Sequence, residues 1–306
     1  MAAAHAACVP RALLAHRFVD EPYNRCNLTL VSRHAAALAA ATLALAREAL
    51  RLVDLRTHTA THPRLGALDH VSVHPLLADA DAADVERAAE GLAAAAALAG
   101  AIAQQLGEGL QLPSYLYGAA HADGRPLADL RRSLGYFKGA AASCWQGPLQ
   151  LPAAVSCSTA VAELPVPPDF GPRVASPAAG VCCVGAAPFI TNYNVLLRTS
   201  DLATARRIAH ALSERGGGLP AVQTMALAHD AGVEVACNLL DGRRASPAGV
   251  LARLRELAAG EDVEVAGEGY ITGEVPANAV PSRARPQLLP HCHPWTIYPD
   301  TRQELS

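Results

Sequence analysis

Residues 221–240 read AVQTMALAHDAGVEVACNLL. Two runs rich in apolar and β-forming residues, 221–228 and 233–240, flank a tight turn, so this stretch predicts a β-hairpin. The turn is made of His229, Asp230, Ala231 and Gly232. A central hairpin is shared by several folds, and the segments on either side of it therefore decide between them.

Those flanking segments supply one strand and one helix on each side of the hairpin. Upstream, residues 184–198 are strand-like, and Ser200 can cap the helix that follows. Downstream, Ser246 can cap a second helix, which closes at Gly260 before a last strand at 262–266. The resulting order β-α-β-β-α-β predicts a ferredoxin-like unit in the second half of the chain.

The first half also alternates strands and helices, which indicates a related α/β layer. We expect a strand at 27–32, a helix at 35–54, a strand at 67–75, a helix at 82–106 stopped by Gly107, and a strand at 114–120. A Pro-rich connector at 148–177 separates the two halves. The sequence therefore predicts an α/β (α+β) fold of two subdomains, 1–188 and 189–276, followed by an irregular tail at 277–306.

Composition restricts the partners and the compartment. The 306 residues are 51% hydrophobic and 17% charged, which is typical of a globular protein. A net charge of -3 provides no general field for nucleic acid or an acidic membrane, and no apolar run approaches the roughly 20 residues that cross a bilayer. Eight cysteines form no C-x-x-C pair, and the chain opens without a secretory segment, so we expect a reduced, cytoplasmic compartment. The opening MAAAHAACVPRALLAHR lacks acidic residues, which leaves an organellar transit peptide as the alternative.

A histidine segment at 58–75, HTATHPRLGALDHVSVHP, carries four of the 12 histidines: His58, His62, His70 and His74. Threonines and Pro63 disfavour the helix that would bring His58 and His62 to one metal. His70 and His74 fall on one face of the following strand, where they form a polar face or lie at the surface. Because no Cys, Asp or Glu falls at ligand spacing, we expect no metal and favour a single acid/base histidine, which the spacing alone does not identify.

The stretch THPRLGALD at 61–69 resembles the HPR-hydrophobic-GALD segment of the formiminotransferase family, the transferase half of formiminotransferase-cyclodeaminase. Further segments agree with that family in order: YNR (23–25), SYLYGAA (114–120), PDFGP (168–172), GAAPFITNYNV (185–195), RIAHALSERGGGLPAVQ (207–223) and VEVACNLLD (233–241). The ending SERGGGLPAVQ is similar to stand-alone plant relatives that lack the cyclodeaminase domain. The resemblance implies two formiminotransferase subdomains, N-terminal and C-terminal, and a homodimer.

The resemblance also implies an activity: transfer of a formimino group from N-formimino-L-glutamate to position 5 of tetrahydrofolate, a co-substrate that links histidine degradation to one-carbon metabolism. The family's catalytic histidine corresponds to His62. Its folate-binding segment corresponds to the following residues: Gly171, Pro172, Arg173, Val174, Ala175, Ser176, Pro177, Ala178, Ala179 and Gly180. Glycines and prolines suit a loop that lets a flat pteridine approach the backbone, although a domain linker uses the same residues.

Transfer chemistry supports a single histidine. Attack on the amidine carbon requires one proton to leave the nucleophile and another to reach the departing glutamate nitrogen, and one histidine can carry both. We expect Asp20 to orient the His62 ring and stabilise its imidazolium, unless it is an ordinary turn aspartate. Asn24, Arg25 and Arg64 are expected to bind substrate carboxylate, with a solvent-facing Arg25 as the alternative.

Two departures from the family pattern leave rival functions open. A strand and helix expected before the N-R pair are missing between ACVPRA (7–12) and the FVDEPYNR stretch, which predicts an exposed sheet edge. The folate-binding segment contains no aromatic residue, and Phe170 is the nearest. A non-catalytic folate-binding or interaction protein is therefore the main alternative, and a zinc hydrolase built on the four histidines is a third hypothesis.

Overall fold

The computed structural model describes residues 11–21, 23–60, 62–76, 85–136, 164–242, 244–272 and the backbone of 296–299. The strands are Leu13–Asp20 (β1), Arg25–Ser32 (β2), His70–Val73 (β3), Ser114–Gly118 (β4), Cys182–Ala186 (β5), Thr191–Leu197 (β6), Val222–His229 (β7), Gly232–Leu239 (β8), Val265–Ile271 (β9) and Thr296–Pro299 (β10). The helices are Ala35–Leu52 (α1), Val85–Gln104 (α2), Leu127–Ser133 (α3), Leu202–Leu212 (α4) and Pro247–Gly260 (α5).

The second sheet has the strand order β7-β8-β6-β9, and each neighbouring pair is antiparallel. Helices α4 and α5 contribute Ile208, Leu212 and Leu254 to a buried core, where these side chains pack with Val195 and Val235 of the sheet. This arrangement is the ferredoxin-like unit that the β-α-β-β-α-β order predicts, and the mixed α/β class is confirmed. The hairpin at its centre reverses at Asp230 and Ala231, between β7 and β8.

The first sheet has the order β1-β2-β10-β3-β5-β4. Strands β1 and β2 form an antiparallel hairpin, and the remaining neighbours are parallel. Its core includes Leu38 of α1, Ile102 of α2 and Val184 of β5, all inaccessible to solvent. Parallel strands need helices over their surface, which explains why α1 and α2 are rich in buried alanine and leucine.

Strand β10 lies between β2 and β3 and is parallel to both. The expectation of an irregular tail is therefore wrong for residues 296–299, and the rest of 277–306 lies outside the described residues. The expected exposed edge is also wrong for β2, because β1 covers one side of this strand and β10 the other. A short extended segment from far along the chain can fill such a position because backbone pairing is largely independent of side-chain identity.

Three expected helix boundaries change. Helix α4 is capped by Asp201 and not by Ser200, since the Asp201 carboxylate accepts hydrogen bonds from the N–H groups of Ala203 and Thr204. Helix α1 ends at Leu52, two residues before the expected end. Helix α2 does not stop at Gly107, because a π-helical turn continues it over Gln105–Gly109. The expected start of α2 at residue 82 lies outside the described residues.

A β-bridge between Gly66 and Gly180 joins the histidine segment to residues 171–180. On either side of it, Ala67 donates its N–H to the Ala179 carbonyl at 2.9 Å, and Val181 donates to the Leu65 carbonyl at 2.9 Å. A Cβ added to Gly66 would lie 2.1 Å from the carbonyl oxygen of Val181. The close approach of these two segments therefore requires glycine.

We expect Gly66→Ala to lower the free energy of unfolding by about 2 kcal/mol or more, because overpacking against backbone forces a shift that the bridge resists. Urea unfolding followed by circular dichroism measures this change. Gly100→Ala is the matched control, since an added Cβ there meets nothing within 4 Å in α2. The control variant should be as stable as the parent or more stable by up to about 1 kcal/mol. Equal stability of the two variants would contradict the steric argument.

Candidate active site

The turn between β1 and β2 lies against the start of the histidine segment. Asn24 adopts a left-handed conformation with φ of 48°, which asparagine tolerates better than most residues. Its side-chain amide donates to the Thr59 carbonyl at 2.9 Å, and His58 Nε2 donates to the Asn24 carbonyl at 2.9 Å. These two hydrogen bonds bring Arg25, the first residue of β2, close to His62.

The imidazole of His62 is fixed in one neutral tautomer by its two partners. Nδ1 is 2.8 Å from the Pro63 carbonyl, which can only accept, so Nδ1 carries the proton. Nε2 is 3.0 Å from Nη1 of Arg25, which can only donate, so Nε2 offers its lone pair. The pKa of His62 lies well below its usual value, first because burial disfavours the charged ring and then because Arg25 and Arg131 are positive, although the Pro63 hydrogen bond opposes the shift.

Two tyrosines flank the His62 ring. The Tyr23 ring centroid is 5.4 Å away and that of Tyr136 is 6.4 Å away. The guanidinium of Arg131 lies 4.5 Å from the Tyr136 ring and forms an ion pair with Asp69 at 2.8 Å. The ring of His62 is therefore buried beside two aromatic rings, and this burial together with the cationic Arg25 and Arg131 disfavours its protonation.

Asp20 contacts Arg25, in contrast to the expected contact with the His62 ring. Its carboxylate is 2.9 Å from Nε of Arg25, and the two groups form an ion pair. Arg25 bonds to both Asp20 and His62, so the arrangement is Asp20–Arg25–His62 and the backbone of Pro63 orients the ring. The expected stabilisation of an imidazolium by direct contact with Asp20 is absent from this arrangement of described residues.

The three residues that the sequence assigns to substrate carboxylate lie around the same place. Asn24 is hydrogen-bonded to Thr59, and Arg25 bridges Asp20 and His62. The guanidinium of Arg64 donates to the His58 carbonyl. The solvent-facing alternative for Arg25 is wrong, because its guanidinium is held by two partners and its side chain is 27% exposed. A substrate carboxylate would have to compete with these intrachain partners.

Residues 171–180, the segment that resembles a folate-binding loop, lie beside the histidine segment. Leu55 donates its N–H to the Ala178 carbonyl at 2.9 Å, in addition to the bridge at Gly180. A Cβ on Gly180 would lie 2.1 Å from the Leu65 carbonyl oxygen, and one on Gly171 would lie 2.9 Å from Gly107. The close approach that explains these glycines is to the protein's own backbone and not to a pteridine. Three members of the segment remain exposed: Gly171, Arg173 and Ser176.

His70 and His74 are buried, at 7% and 1% exposure, so the surface alternative for them is wrong. They terminate a chain of hydrogen bonds through Tyr117 and Ser72. His74 Nδ1 must donate to the Ala187 carbonyl at 2.9 Å, so its Nε2 accepts from the Ser72 hydroxyl at 2.8 Å. Ser72 in turn accepts from the Tyr117 hydroxyl at 2.8 Å, and Tyr117 accepts from His70 Nε2 at 2.7 Å. Burial lowers the pKa of His74 to about 4.

Sequence reasoning did not single out Tyr136 or Arg131, and no motif marks them. Tyr23 is part of the YNR stretch but was not assigned a role. Among the described residues, no group of three or more His, Cys, Asp or Glu side chains is arranged to hold a metal ion. Within the same described part of the chain, no helix combines the length and apolar character that crossing a membrane requires.

Comparison with known proteins identifies similar chains. Residues 2–187 match a family model described as the formiminotransferase domain, N-terminal subdomain. The chain is 38% identical over 277 residues to the formiminotransferase cyclodeaminase-like protein of Arabidopsis thaliana, covering 89% of this chain and 86% of that protein. It is 29% identical over 266 residues to the glutamate formimidoyltransferase of Thermoplasma acidophilum, covering 86% and 78% respectively. The match to the formimidoyltransferase-cyclodeaminase of Gallus gallus, at 31% identity, covers 71% of this chain and 36% of that longer protein.

We expect Arg25→Met to raise the pKa of His62, because it removes a positive group that bonds to Nε2 and leaves the negative Asp20 nearby. Histidine ring resonances followed by NMR across a pH titration measure this change, with His62 assigned by its loss in His62→Gln. Arg125→Met is the matched control, since Arg125 forms a similar ion pair with Asp169 at 2.7 Å. An unchanged His62 titration in Arg25→Met would contradict the proposed contact.

The buried His74 should make stability depend on pH. Its folded-state pKa of about 4 lies below the ordinary value of 6.5. As the pH falls from 6.5 to 4, His74 therefore takes up a proton in the unfolded chain but not in the folded one. Stability is therefore lost from pH 6.5 down to pH 4, by up to roughly 3 kcal/mol from this group. Urea unfolding at several pH values should show a shallower dependence in His74→Gln than in the parent. His121→Gln is the control, and an unaltered slope in His74→Gln would refute the assignment.

Proposed function

The chain belongs to the formiminotransferase family, and from that premise we propose that it transfers a formimino group from N-formimino-L-glutamate to tetrahydrofolate, with His62 as general acid and base. The observation that carries the proposal is the neutral His62, whose Nε2 lone pair is directed at the Arg25 guanidinium. A general base must start unprotonated, and the surroundings of His62 favour that state.

Arg25 would control when His62 acts. As long as its guanidinium occupies Nε2, the ring cannot accept a proton there. N-formimino-L-glutamate carries two carboxylates, and an arginine fork matches a carboxylate well. We infer that one substrate carboxylate draws Arg25 away from Nε2, and that Arg64 and Asn24 exchange their intrachain partners for the same anion. Substrate binding would then free the base at the place where it is needed.

The proton transfers follow from the released Nε2. The N5 nitrogen of tetrahydrofolate attacks the amidine carbon, a C–N bond forms, and Nε2 of His62 takes the proton that N5 loses. The resulting imidazolium then gives this proton to the glutamate nitrogen as the old C–N bond breaks. The Pro63 carbonyl keeps the Nδ1 proton in place during both steps, so one nitrogen serves as base and acid. Asp20 acts through Arg25, whose position it fixes.

Residues 171–180 are part of this proposal as the folate-binding segment. Their support is the family resemblance together with the backbone contacts that hold them beside the histidine segment. The aromatic rings next to His62 are Tyr23 and Tyr136, which lie outside that segment.

We also propose the division into subdomains 1–188 and 189–276, a homodimer and a cytoplasmic location. The homodimer is supported by the resemblance, and the cytoplasmic location is supported by the cysteine pattern, which fits a reduced compartment.

A non-catalytic folate-binding protein remains the second candidate. The observation that favours it is that Asn24, Arg25 and Arg64 each already have an intrachain partner. A scaffold that kept these contacts and never released them would bind folate without turnover. The two functions differ in one measurable property, which is formimino transfer by a chain that binds tetrahydrofolate.

We expect the full chain to bind tetrahydrofolate in calorimetry and to transfer the formimino group from N-formimino-L-glutamate. His62→Gln should lower kcat by about 10²- to 10⁴-fold, the range for losing a general acid and base, while tetrahydrofolate still binds. His121→Gln, in the loop after β4, is the control and should keep parental kcat. Binding without turnover by the parent chain would favour the second candidate, and a kcat of His62→Gln close to the parental value would exclude His62 as the base.

A further inference from the structure

Glu234 is a carboxylate buried at 1% exposure on β8, the second strand of the β7–β8 hairpin in the second sheet. Three neutral donors point at it. The Asn194 amide donates to Oε1 at 2.8 Å and the Tyr270 hydroxyl donates to Oε2 at 2.5 Å, both from the second sheet. The third donor is the Tyr23 hydroxyl, 3.1 Å from Oε1, which belongs to the β1–β2 turn of the first sheet. Glu234 therefore joins the two sheets at a buried point.

Tyr23 connects this carboxylate to the candidate active site. Its side chain is 1% exposed, with the guanidinium of Arg25 5.2 Å from its ring centroid and the His62 ring at 5.4 Å. A third neighbour is His229 at the end of β7, whose ring lies edge-on to that of Tyr23 with 6.0 Å between the ring centroids. The ring thus packs against both members of the Arg25–His62 pair, while its hydroxyl is fixed by the other sheet.

We propose that Glu234 is a positioning residue for the active site. By fixing the Tyr23 hydroxyl from the second sheet, it keeps Arg25 and His62 within hydrogen-bonding distance of each other. The kinetic part of this inference rests on the proposed function, and the geometric part does not. A charged acceptor forms stronger and more directional hydrogen bonds than a neutral one, so a carboxylate suits this task. Burial, and then the neighbouring Glu234, raise the pKa of Tyr23, which keeps its hydroxyl a donor.

Tyr270 provides a matched comparison for Tyr23. Both hydroxyls donate to the same carboxylate, but Tyr270 lies on β9 and its side chain is 41% exposed. Removing the Tyr270 hydroxyl leaves the bond between Tyr23 and Glu234 intact. A merely structural carboxylate predicts similar effects from both losses, whereas a positioning role predicts an effect on His62 only when the Tyr23 bond is lost.

The test is an NMR titration of the His62 ring in the parent, Tyr23→Phe, Tyr270→Phe and Glu234→Gln. The charged and titratable groups around His62 are Arg25 on β2, Tyr23 in the turn, and Arg131 and Tyr136 at the end of α3. Asp20 lies behind Arg25, and Asp69 behind Arg131. Loosening the Arg25 contact should raise the pKa of His62 by about half a unit or more in Tyr23→Phe and Glu234→Gln, roughly a threefold change in proton affinity.

The titration in Tyr270→Phe should match that of the parent. The proposal is overturned if Tyr23→Phe leaves His62 unchanged, or if Tyr270→Phe shifts it by as much as Tyr23→Phe does. Tyr23→Phe keeps the buried ring and removes one oxygen, so it carries the test if Glu234→Gln does not fold. This readout requires no substrate and therefore remains decisive if the chain proves not to be a transferase.

Transfer kinetics supply the second measurement. We expect kcat for formimino transfer to fall about tenfold in Tyr23→Phe and Glu234→Gln, because the base His62 is then misplaced. In Tyr270→Phe, kcat should stay within about twofold of the parental value. A parent chain without turnover would refute the proposed function and leave the NMR result to judge Glu234. A turnover loss that is equal in both tyrosine variants would refute the positioning role and leave the proposed function standing.

Discussion

The contact between the β1–β2 turn and the histidine segment is the constraint on which the candidate site depends. Two reciprocal hydrogen bonds, from Asn24 to Thr59 and from His58 to Asn24, hold two stretches of chain that are more than 30 residues apart in sequence. Because Asn24 is left-handed, the chain reverses tightly and β2 starts with Arg25 directed at His62. That placement gives Nε2 of His62 its donor, adds to the effect of burial in lowering the pKa of His62, and brings Asp20 to Arg25.

The sequence predicts the elements whose signals are local and misses those that depend on distant partners. The ferredoxin-like order follows from the hairpin at 221–240, from the Ser246 cap of α5 and from alternating apolar residues, each read within a few positions. Strand β10 has no such signal, because its pairing is set by an open position between β2 and β3, two strands that lie more than 200 residues earlier in the chain. The same limit applies to Glu234, which is an ordinary polar position of a strand until Tyr23 is placed against it.

For the candidate site, the sequence likewise predicts which residues take part but not which of them are in contact. The resemblance assigns His62, Asp20 and Arg25, and the structure brings these three together. The sequence does not predict which of the three are in contact: Arg25 contacts both Asp20 and His62. A carboxylate near a histidine resembles an orienting pair, but the guanidinium of Arg25, five positions after Asp20, competes for the same carboxylate and forms both a hydrogen bond and an ion pair with it. Spacing in sequence cannot rank these partners, since the ranking depends on the turn at Asn24.

The first sheet and the active site place different demands on the residues that form them. Strand β10 pairs through backbone N–H and C=O groups, which every residue except proline offers, so a short segment of almost any composition can occupy the position between β2 and β3. The site is more demanding, because it needs a particular side-chain donor at Arg25 and a fixed ring at Tyr23. Its described contacts come from the β1–β2 turn, the histidine segment, the end of α3 and β8. The geometry of His62 therefore depends on the β1–β2 turn and on the histidine segment, which make its contacts directly.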